Sequence, residues 1–195
     1  MDFKNTALLI IDVQMEFAHR AEKNVPRSAP EAEANIAKIL AAFRDAGMKV
    51  CHVHHHSRVA GSPFTEGLPG AVVQDFVAPR AGEAVYIKHE NSAFIGTSLE
   101  ADLRQQNIRH LIMCGATANH CVETTTRMAG NLGFDTYFLE DGVWAYGETG
   151  PDGQFHTPEE VHSMTLSNLH GEFATIVATD DLLAQIHKIE SLENV

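Results

Sequence analysis

Short apolar runs alternate with helical patterns along the whole chain, and this alternation limits the possible folds more than any other feature. Six runs predict β-strands, at residues 7–11, 48–53, 84–87, 110–115, 134–139 and 173–178. The first run has no polar residue, as expected of a strand buried on both faces of a parallel sheet. Strands joined by helices form βαβ units, so the sequence predicts a doubly wound α/β fold. Six parallel strands should carry helices on both faces, in an order that the pattern does not give.

The predicted helices begin at recognisable capping sequences. Three pairs have the capping-box spacing: Ser28 with Glu31, Thr97 with Glu100, and Thr157 with Glu160. Another helix should begin near Cys121 and end around residues 131–133. Residues 55–82 form a long connection with Gly and Pro, which predicts either a functional loop or a series of short turns.

Length and charge exclude several classes of protein. The chain has 195 residues, which favours one domain spanning residues 1–195. Its net charge of −12 argues against a nucleic-acid partner. No apolar run approaches the roughly 18 residues that span a membrane, and the first residues lack the pattern of a secretory signal. Three cysteines without a C-x-x-C pair do not predict a disulfide framework. We therefore expect a soluble, cytoplasmic domain with no membrane partner.

Three reactive side chains follow predicted strands, at the sheet edge where α/β proteins bind ligands. Asp12 ends the first strand, Lys88 the third, and Cys121 comes shortly after the fourth. A carboxylate, an ammonium and a thiol on one rim suit nucleophilic catalysis, because the cation and a helix N-terminus favour the thiolate. Taken singly, the three residues also fit a turn former, a solvated cation and a small core residue. Cys51 and Cys114 lie within strands, where burial and inertness are expected.

The sequences around these residues resemble the isochorismatase-like cysteine hydrolases. The carrying motifs are LLIIDVQ around Asp12, K-x-x-x-SAF-x-GT-x-L from Lys88, and G-x-T-x-x-x-CV-x-T-T around Cys121. They occur in the family's order and at similar intervals. The stretch 161–174 also looks like members of this family. The resemblance runs from about residue 6 to Leu183, nearly the whole chain.

The resemblance implies a six-stranded parallel sheet and a catalytic triad of Asp12, Lys88 and Cys121. It also implies a cis peptide bond between Ala116 and Thr117. In the family this bond turns a backbone N–H toward the nucleophile. The backbone N–H groups of Thr117 and Cys121 would then form the oxyanion hole.

Neither a metal nor a cofactor is expected. Some family members bind a divalent metal through an Asp-x-His pair beyond strand two, and no Asp occurs here between Asp45 and Asp75. That departure weighs against nicotinamidase. The run 52–56 contains four histidines, but neighbouring residues of a strand face opposite ways, so they do not converge on one ion unless the backbone turns. His54 or His55 is instead a candidate for lining the substrate pocket.

Four aromatic residues are further candidates for the pocket wall. Trp144 and Tyr146 follow strand five, and Phe17 and Phe94 flank the triad positions in sequence. Surface or interface packing explains the first two equally well, and core packing explains the two phenylalanines.

The leading hypothesis is a cysteine hydrolase that cleaves a C–N bond of a small amide or ureide through a thioester, and the substrate itself stays open. The first alternative is an isochorismate-type vinyl ether hydrolase that uses Asp12 and Lys88 without Cys121. The second is a non-catalytic binding or scaffold protein of the same fold. A homo-oligomer, dimer or tetramer, is also expected. Relatives commonly assemble, and residues 55–82 carry more apolar side chains than a solvated loop should expose.

Overall fold

One six-stranded parallel sheet organises the protein. The computed structural model describes the backbone of residues 3–193 and the side chains of residues 3–188. The sheet strands are β1 (Thr6–Ile11), β2 (Lys49–His55), β3 (Ala84–Lys88), β4 (His110–Ala116), β5 (Asp135–Trp144) and β8 (Thr175–Val177). A separate two-stranded antiparallel hairpin consists of β6 (Glu148–Thr149) and β7 (Phe155–His156).

Helices cover both faces of the sheet, which confirms the doubly wound class. They are α1 (Met15–Glu22), α2 (Ala32–Asp45), α3 (Leu99–Gln105), α4 (Glu123–Asn131), α5 (Pro158–Leu169) and α6 (Thr179–Glu193). One hydrophobic cluster joins the sheet to α2 and α6, through residues such as Phe43 and Leu182. The other joins the opposite face to α3, α4 and α5, through residues such as Leu103, Ala129 and Leu169.

The strand order creates a crevice at the carboxyl edge of the sheet. The order is β3-β2-β1-β4-β5-β8, so the chain winds outward in one direction up to β3 and in the other from β4 onward. Between β1 and β4 the connections leave the sheet on opposite faces, and ligands of open α/β sheets bind at such a switch point. The residues that follow β1 and β4 therefore become neighbours in space.

The helix boundaries differ from the sequence prediction in several places. The predicted box at Thr157 is present, because its side chain accepts from the Glu160 N–H while the Glu160 side chain accepts from the Thr157 N–H. The box predicted at Ser28 is wrong: α2 begins later, and Ser28 bonds to other elements of the fold. The box predicted at Thr97 is also absent, since Ser98 is the N-cap residue and makes no side-chain capping bond. Helix α1 was not predicted at all.

The long connection between β2 and β3 is mostly a series of short turns. Two 3₁₀ turns, Pro69–Ala71 and Asp75–Val77, lie within it. A β-bridge between Gln14 and Val73 fastens it to the segment that follows β1. Within residues 3–193, the longest helices are too short or too polar to cross a membrane.

Candidate active site

Asp12 occupies the first turn after β1. Its backbone N–H still donates to the carbonyl of Val53 at 2.8 Å, as if the strand continued. Its φ angle is then 55°, in the left-handed region that Asp enters more readily than most residues. The chain leaves the sheet at this point, and the carboxylate stays almost fully buried at the carboxyl edge.

Gly115 allows β4 to approach β1 closely on the other side of the crevice. Its φ angle is 119°, and a Cβ atom added there would lie 2.0 Å from the carbonyl oxygen of Ile11. No other residue fits this position, because the contact is with rigid backbone. The glycine of the sequence motif thus brings the segment that carries Cys121 against the segment that carries Asp12.

Lys88 ends β3 and lies beneath the crevice with no exposed surface. Its ammonium Nζ is 2.7 Å from Asp12 Oδ2 and 3.3 Å from Cys121 Sγ. It also donates to the carbonyl of Glu90 at 3.2 Å and lies 3.3 Å from His55 Nδ1. The burial of so polar a group is tolerable because each of its hydrogens has an acceptor.

Cys121 lies in a π-helical turn, Ala118–Val122, that leads into α4. The peptide bond between Ala116 and Thr117 is cis, at the position that the resemblance implied. In the described part of the chain, the backbone N–H of Thr117 donates to no carbonyl. This N–H group is therefore available to an oxygen in the crevice.

The electrostatic state of the thiol differs from the sequence prediction. Burial, followed by the charge of Asp12, raises the pKa of the Cys121 thiol to about 12, and Lys88 offsets this only in part. We expected Lys88 and the helix start to favour the thiolate, but desolvation opposes the charged form more strongly. Burial also raises the pKa of the Asp12 carboxyl above its usual value, against the pull of Lys88. At neutral pH the sulfur therefore rests as a thiol.

Asp12 offers one oxygen for the thiol proton. Its Oδ2 is engaged by Lys88, whereas its buried Oδ1 accepts no conventional hydrogen bond among the described residues. Contact with the Cys121 side chain is one of the influences that lower the pKa of Asp12. The carboxylate is thus oriented by the ammonium and faces the sulfur.

Gln14 fixes the neighbouring end of β2, a role that the sequence analysis missed. Its side-chain amide donates to the carbonyls of His55 at 3.0 Å and Ala71 at 2.7 Å, and its Oε1 accepts from the His55 N–H at 2.8 Å. The LLIIDVQ motif ends on this residue, which is the signal that could have identified it. The bonds hold His55 beside Lys88.

A cavity of about 360 Å³ opens above Asp12 and Cys121, at the small end of the range for small-molecule sites. Its lining residues are Asp12, Phe17, Arg20, His55, Phe64, Asn91, Ala116, Thr117, Asn119, His120, Cys121, Tyr146 and Glu148. Of the six pocket candidates, Phe17, His55 and Tyr146 belong to this wall. The alternation along β2 explains why His55 faces the cavity and His54 does not.

Phe94 and Trp144 also lie away from the cavity wall. Phe94 stacks on Phe134 within the core, with ring centroids 5.9 Å apart. Trp144 is fully buried and supports the wall from behind, meeting the edge of the Phe17 ring at 5.6 Å. Phe94 thus has the core packing that was its alternative, whereas Trp144 lies in the core and not at the surface that was its alternative.

Among the side chains that the structure describes, those of residues 3–188, the histidine run is not part of a metal-binding group, since no three or more His, Cys, Asp or Glu could hold a metal ion. Burial lowers the pKa of His54 and of His55 to about 4, so both imidazoles are neutral at pH 7. The Nε2 atom of His52 instead lies 2.8 Å from Glu83 Oε2.

The fold and the site define a class of protein: a doubly wound α/β protein with a small cavity at its topological switch point. The family model of the isochorismatase domain matches residues 6–181, and the chain belongs to the isochorismatase family of hydrolases.

Individual relatives agree with this assignment. The isochorismatase family protein YrdC of Bacillus subtilis is 40% identical over 177 residues, covering 91% of this chain and 94% of that protein. A crystal structure of an isochorismatase family protein from Chromobacterium violaceum is 38% identical, has a TM-score of 0.91, and covers 96% of each chain. The maleamate amidohydrolase of Pseudomonas putida is 26% identical, covering 95% of this chain and 89% of that enzyme.

Proposed function

We propose that the protein hydrolyses a C–N bond of a small amide or ureide, with Cys121 as the nucleophile. The observation that carries this proposal is the contact of Asp12, Lys88 and Cys121 at the base of a small cavity. The ammonium of Lys88 lies within 3.3 Å of both the Asp12 carboxylate and the Cys121 thiol, so a base, a cation and a nucleophile are in contact. A scaffold protein would gain nothing from burying this set, because buried charges are costly unless a function retains them.

In the acylation step, Asp12 takes the thiol proton as Cys121 Sγ attacks the substrate carbonyl carbon. A thiolate does not need to exist beforehand, because the raised pKa of Asp12 makes it a stronger base than an ordinary carboxylate. The carbonyl oxygen becomes an oxyanion bound by the N–H groups of Thr117 and Cys121. Such a donor is typically worth about 2.7–4 kcal/mol of barrier.

Collapse of the tetrahedral intermediate breaks the C–N bond. Asp12, now protonated, gives its proton to the departing nitrogen, and a thioester to Cys121 remains. Asp12 then removes a proton from water, which attacks the thioester. Collapse of the second intermediate releases the acid product, and the sulfur recovers its proton from Asp12.

The relatives support amide chemistry. Maleamate amidohydrolase matches nearly the full length of the chain, and its name specifies hydrolysis of an amide. The isochorismate-type alternative, which acts through Asp12 without the thiol, leaves the position of Cys121 beside both charges unexplained.

Assays of ammonia release from a panel of small amides test the proposal. Cys121→Ser should fold normally and lose nearly all hydrolysis, since a buried hydroxyl is far harder to deprotonate than a thiol. Cys51→Ser and Cys114→Ser are matched controls, because both cysteines are buried within strands and should affect only stability. Substantial amide turnover by Cys121→Ser, or turnover of a vinyl ether unaffected by thiol alkylation, would overturn the cysteine mechanism.

We also propose that residues 1–195 form one domain and that this domain assembles into a homo-oligomer. One sheet with a hydrophobic cluster on each face supports the single domain. Support for assembly comes from the connection between β2 and β3. Phe64, Val73, Phe76 and Val77 pack into the protein's own core, but Val59, Leu68 and Val72 are exposed.

A further inference from the structure

Arg20 lies in the wall of the catalytic cavity, six residues beyond the end of the LLIIDVQ motif. It belongs to α1, and it is the sole lysine or arginine among the described residues that line this cavity. Lys88 lies deeper, where Asp12 and Cys121 engage it. The guanidinium of Arg20, paired with Glu16 on one side, therefore also faces the space that a substrate would fill.

The guanidinium of Arg20 is held in a fixed orientation by three neighbours. Its Nε donates to Glu16 Oε1 at 3.0 Å. Its Cζ lies 5.1 Å from the ring centroid of Tyr146 and 5.7 Å from that of Phe17, within the range of cation–π contacts. Phe17 and Tyr146 also line the cavity, so the aromatic wall and the cation form one surface.

Within the described side chains of residues 3–188, the terminal nitrogens of Arg20 make no hydrogen bond. In the part of the chain that the structure describes, the hydrogen bond from Nε to Glu16 is the one that the guanidinium makes. An arginine tethered by Nε leaves a pair of η N–H groups, whose planar geometry matches the two oxygens of a carboxylate. Because its neighbours already fix the side chain, binding such an anion costs less conformational entropy.

We infer that Arg20 is the anion-binding residue of this site, and that the preferred substrates are short amides or ureides that carry a carboxylate. This inference rests on the proposed function and specifies its substrate class. The cation fixes the carboxylate end of the molecule in the outer wall. The carbonyl end then points to Cys121 and to the N–H of Thr117.

The other charged groups of the cavity are compatible with this orientation. Glu148 is half-exposed at the rim, and its Oε1 lies 4.0 Å from His120 Nε2. Asp12 is neutralised by Lys88. His55 is neutral at pH 7, since burial lowers its pKa to about 4. A cavity of about 360 Å³ is of a size for a small molecule.

Binding of malonate, succinate and glutarate tests the inference without requiring turnover. Calorimetry gives the affinity, and protection of Cys121 against iodoacetamide shows that the anion occupies this cavity. At least one of the three should bind and protect, and Arg20→Met should weaken that binding roughly 10- to 100-fold, as expected for a lost charge-assisted hydrogen-bonded pair. Arg20→Lys should retain part of the affinity.

Arg104→Met is the matched control for this experiment. Arg104 also pairs with a glutamate four residues earlier and lies over an aromatic ring, Phe134, but it does not line the cavity. Its replacement should leave the affinity unchanged. The inference is overturned when none of the three dicarboxylates binds the wild-type protein, or when Arg20→Met binds as tightly as wild type.

Turnover separates this inference from the proposed function. Succinamate and its neutral isostere 4-oxopentanamide differ only in replacing the carboxylate with an acetyl group. Wild type should favour succinamate in kcat/KM, and Arg20→Met should reduce that ratio roughly 10- to 100-fold. Hydrolysis of both amides at equal rates would refute the anion preference and leave the amidase proposal standing. Dicarboxylate binding through Arg20 without any amide hydrolysis would refute the amidase proposal and leave the anion-binding role of Arg20 standing.

Discussion

At the scale of single residues, one ammonium connects the two groups that are proposed to exchange a proton. Lys88 touches both Asp12 and Cys121, yet burial still keeps the thiol protonated. The site therefore differs from one that stores a ready thiolate. Its reactivity should depend on the carboxylate at the moment of attack, and two substitutions test this dependence.

Lys88→Met should slow the alkylation of Cys121 by iodoacetamide at pH 8. An opposite charge at this range typically shifts a pKa by about 1–3 units, so loss of the cation should reduce the labelling rate about tenfold or more. The unpaired Asp12 would also tend to become protonated and cease to act as a base. Lys38→Met, on the exposed side of α2, is the control. Equal labelling rates in wild type and Lys88→Met would show that the ammonium does not influence the thiol.

Asp12→Asn should lower the rate of acylation by a factor of about 10²–10⁴, because the base is lost while the shape is kept. Burial raises the pKa of this carboxyl above 3.8, and only the ionised form is a base. In wild type, kcat/KM should therefore fall with acid at a higher pH than an ordinary carboxyl would give, and this limb should be missing in the variant.

Single-turnover kinetics across pH provide the measurement for Asp12→Asn. Asp135→Asn is the control, since that carboxylate is exposed at the start of β5. Acylation at the wild-type rate would mean that another group, with His55 the nearest candidate, accepts the proton.

At the scale of secondary-structure elements, the strands were more predictable than the helix starts. All six sheet strands lie where the apolar runs indicated. In β1 and β4, burial on both faces leaves a nearly uninterrupted apolar signal, whereas the edge strands β3 and β8 are partly exposed and were marked by short, mostly apolar runs. Helix α1 was missing from the sequence prediction because it is short and Phe17 is its one buried residue. The strand order depends on which face each helix covers, and no local pattern encodes that.

Ser28 illustrates how tertiary contacts override a local motif. Its Oγ accepts from the N–H of Ala145 at 2.9 Å and lies 2.7 Å from His162 Nδ1, so it joins α5 to the segment after β5. The capping-box spacing with Glu31 was therefore coincidental. Cap prediction succeeded at Thr157, where the side chain is exposed and has no competing partner deeper in the fold.

Ser28→Ala should destabilise the protein by about 1–3 kcal/mol, because it leaves buried groups of Ala145 and His162 without partners. Urea unfolding gives the free-energy difference. Ser167→Ala is the matched control, at an exposed position of α5 where a change within about 0.5 kcal/mol is expected. A loss of stability no larger than that of the control would show that the Ser28 contacts contribute nothing.

The same contrast applies to the site. The meeting of Asp12, Lys88 and Cys121 was predictable because each lies at or just after the carboxyl end of a strand, and these ends share one edge of the sheet. The pocket wall was predictable only in part, since it combines side chains from α1, the end of β2 and the segment after β5. Arg20 belongs to a helix that was not predicted. The choice between His54 and His55 depends on which side of β2 faces the crevice, and the sequence does not show that.

At the scale of the whole molecule, the exposed apolar side chains of residues 55–82 bear on assembly. We expect sedimentation at micromolar concentration to show a species of at least twice 21.4 kDa. Val72→Lys should shift the distribution toward the monomer, because a charge would then have to be buried in the contact. A single wild-type species near 21.4 kDa would contradict the proposed assembly.

The central claim is that an amide substrate passes its acyl group to Cys121, and rapid acid quenching followed by mass spectrometry tests it most directly. During turnover of an amide that the wild-type protein hydrolyses, the peptide containing Cys121 should carry the added mass of the acyl group. Peptides containing Cys51 and Cys114 should stay unmodified, and Cys121→Ser should show no adduct. Amide hydrolysis by the wild type with Cys121 unmodified at every time point would contradict the thioester mechanism.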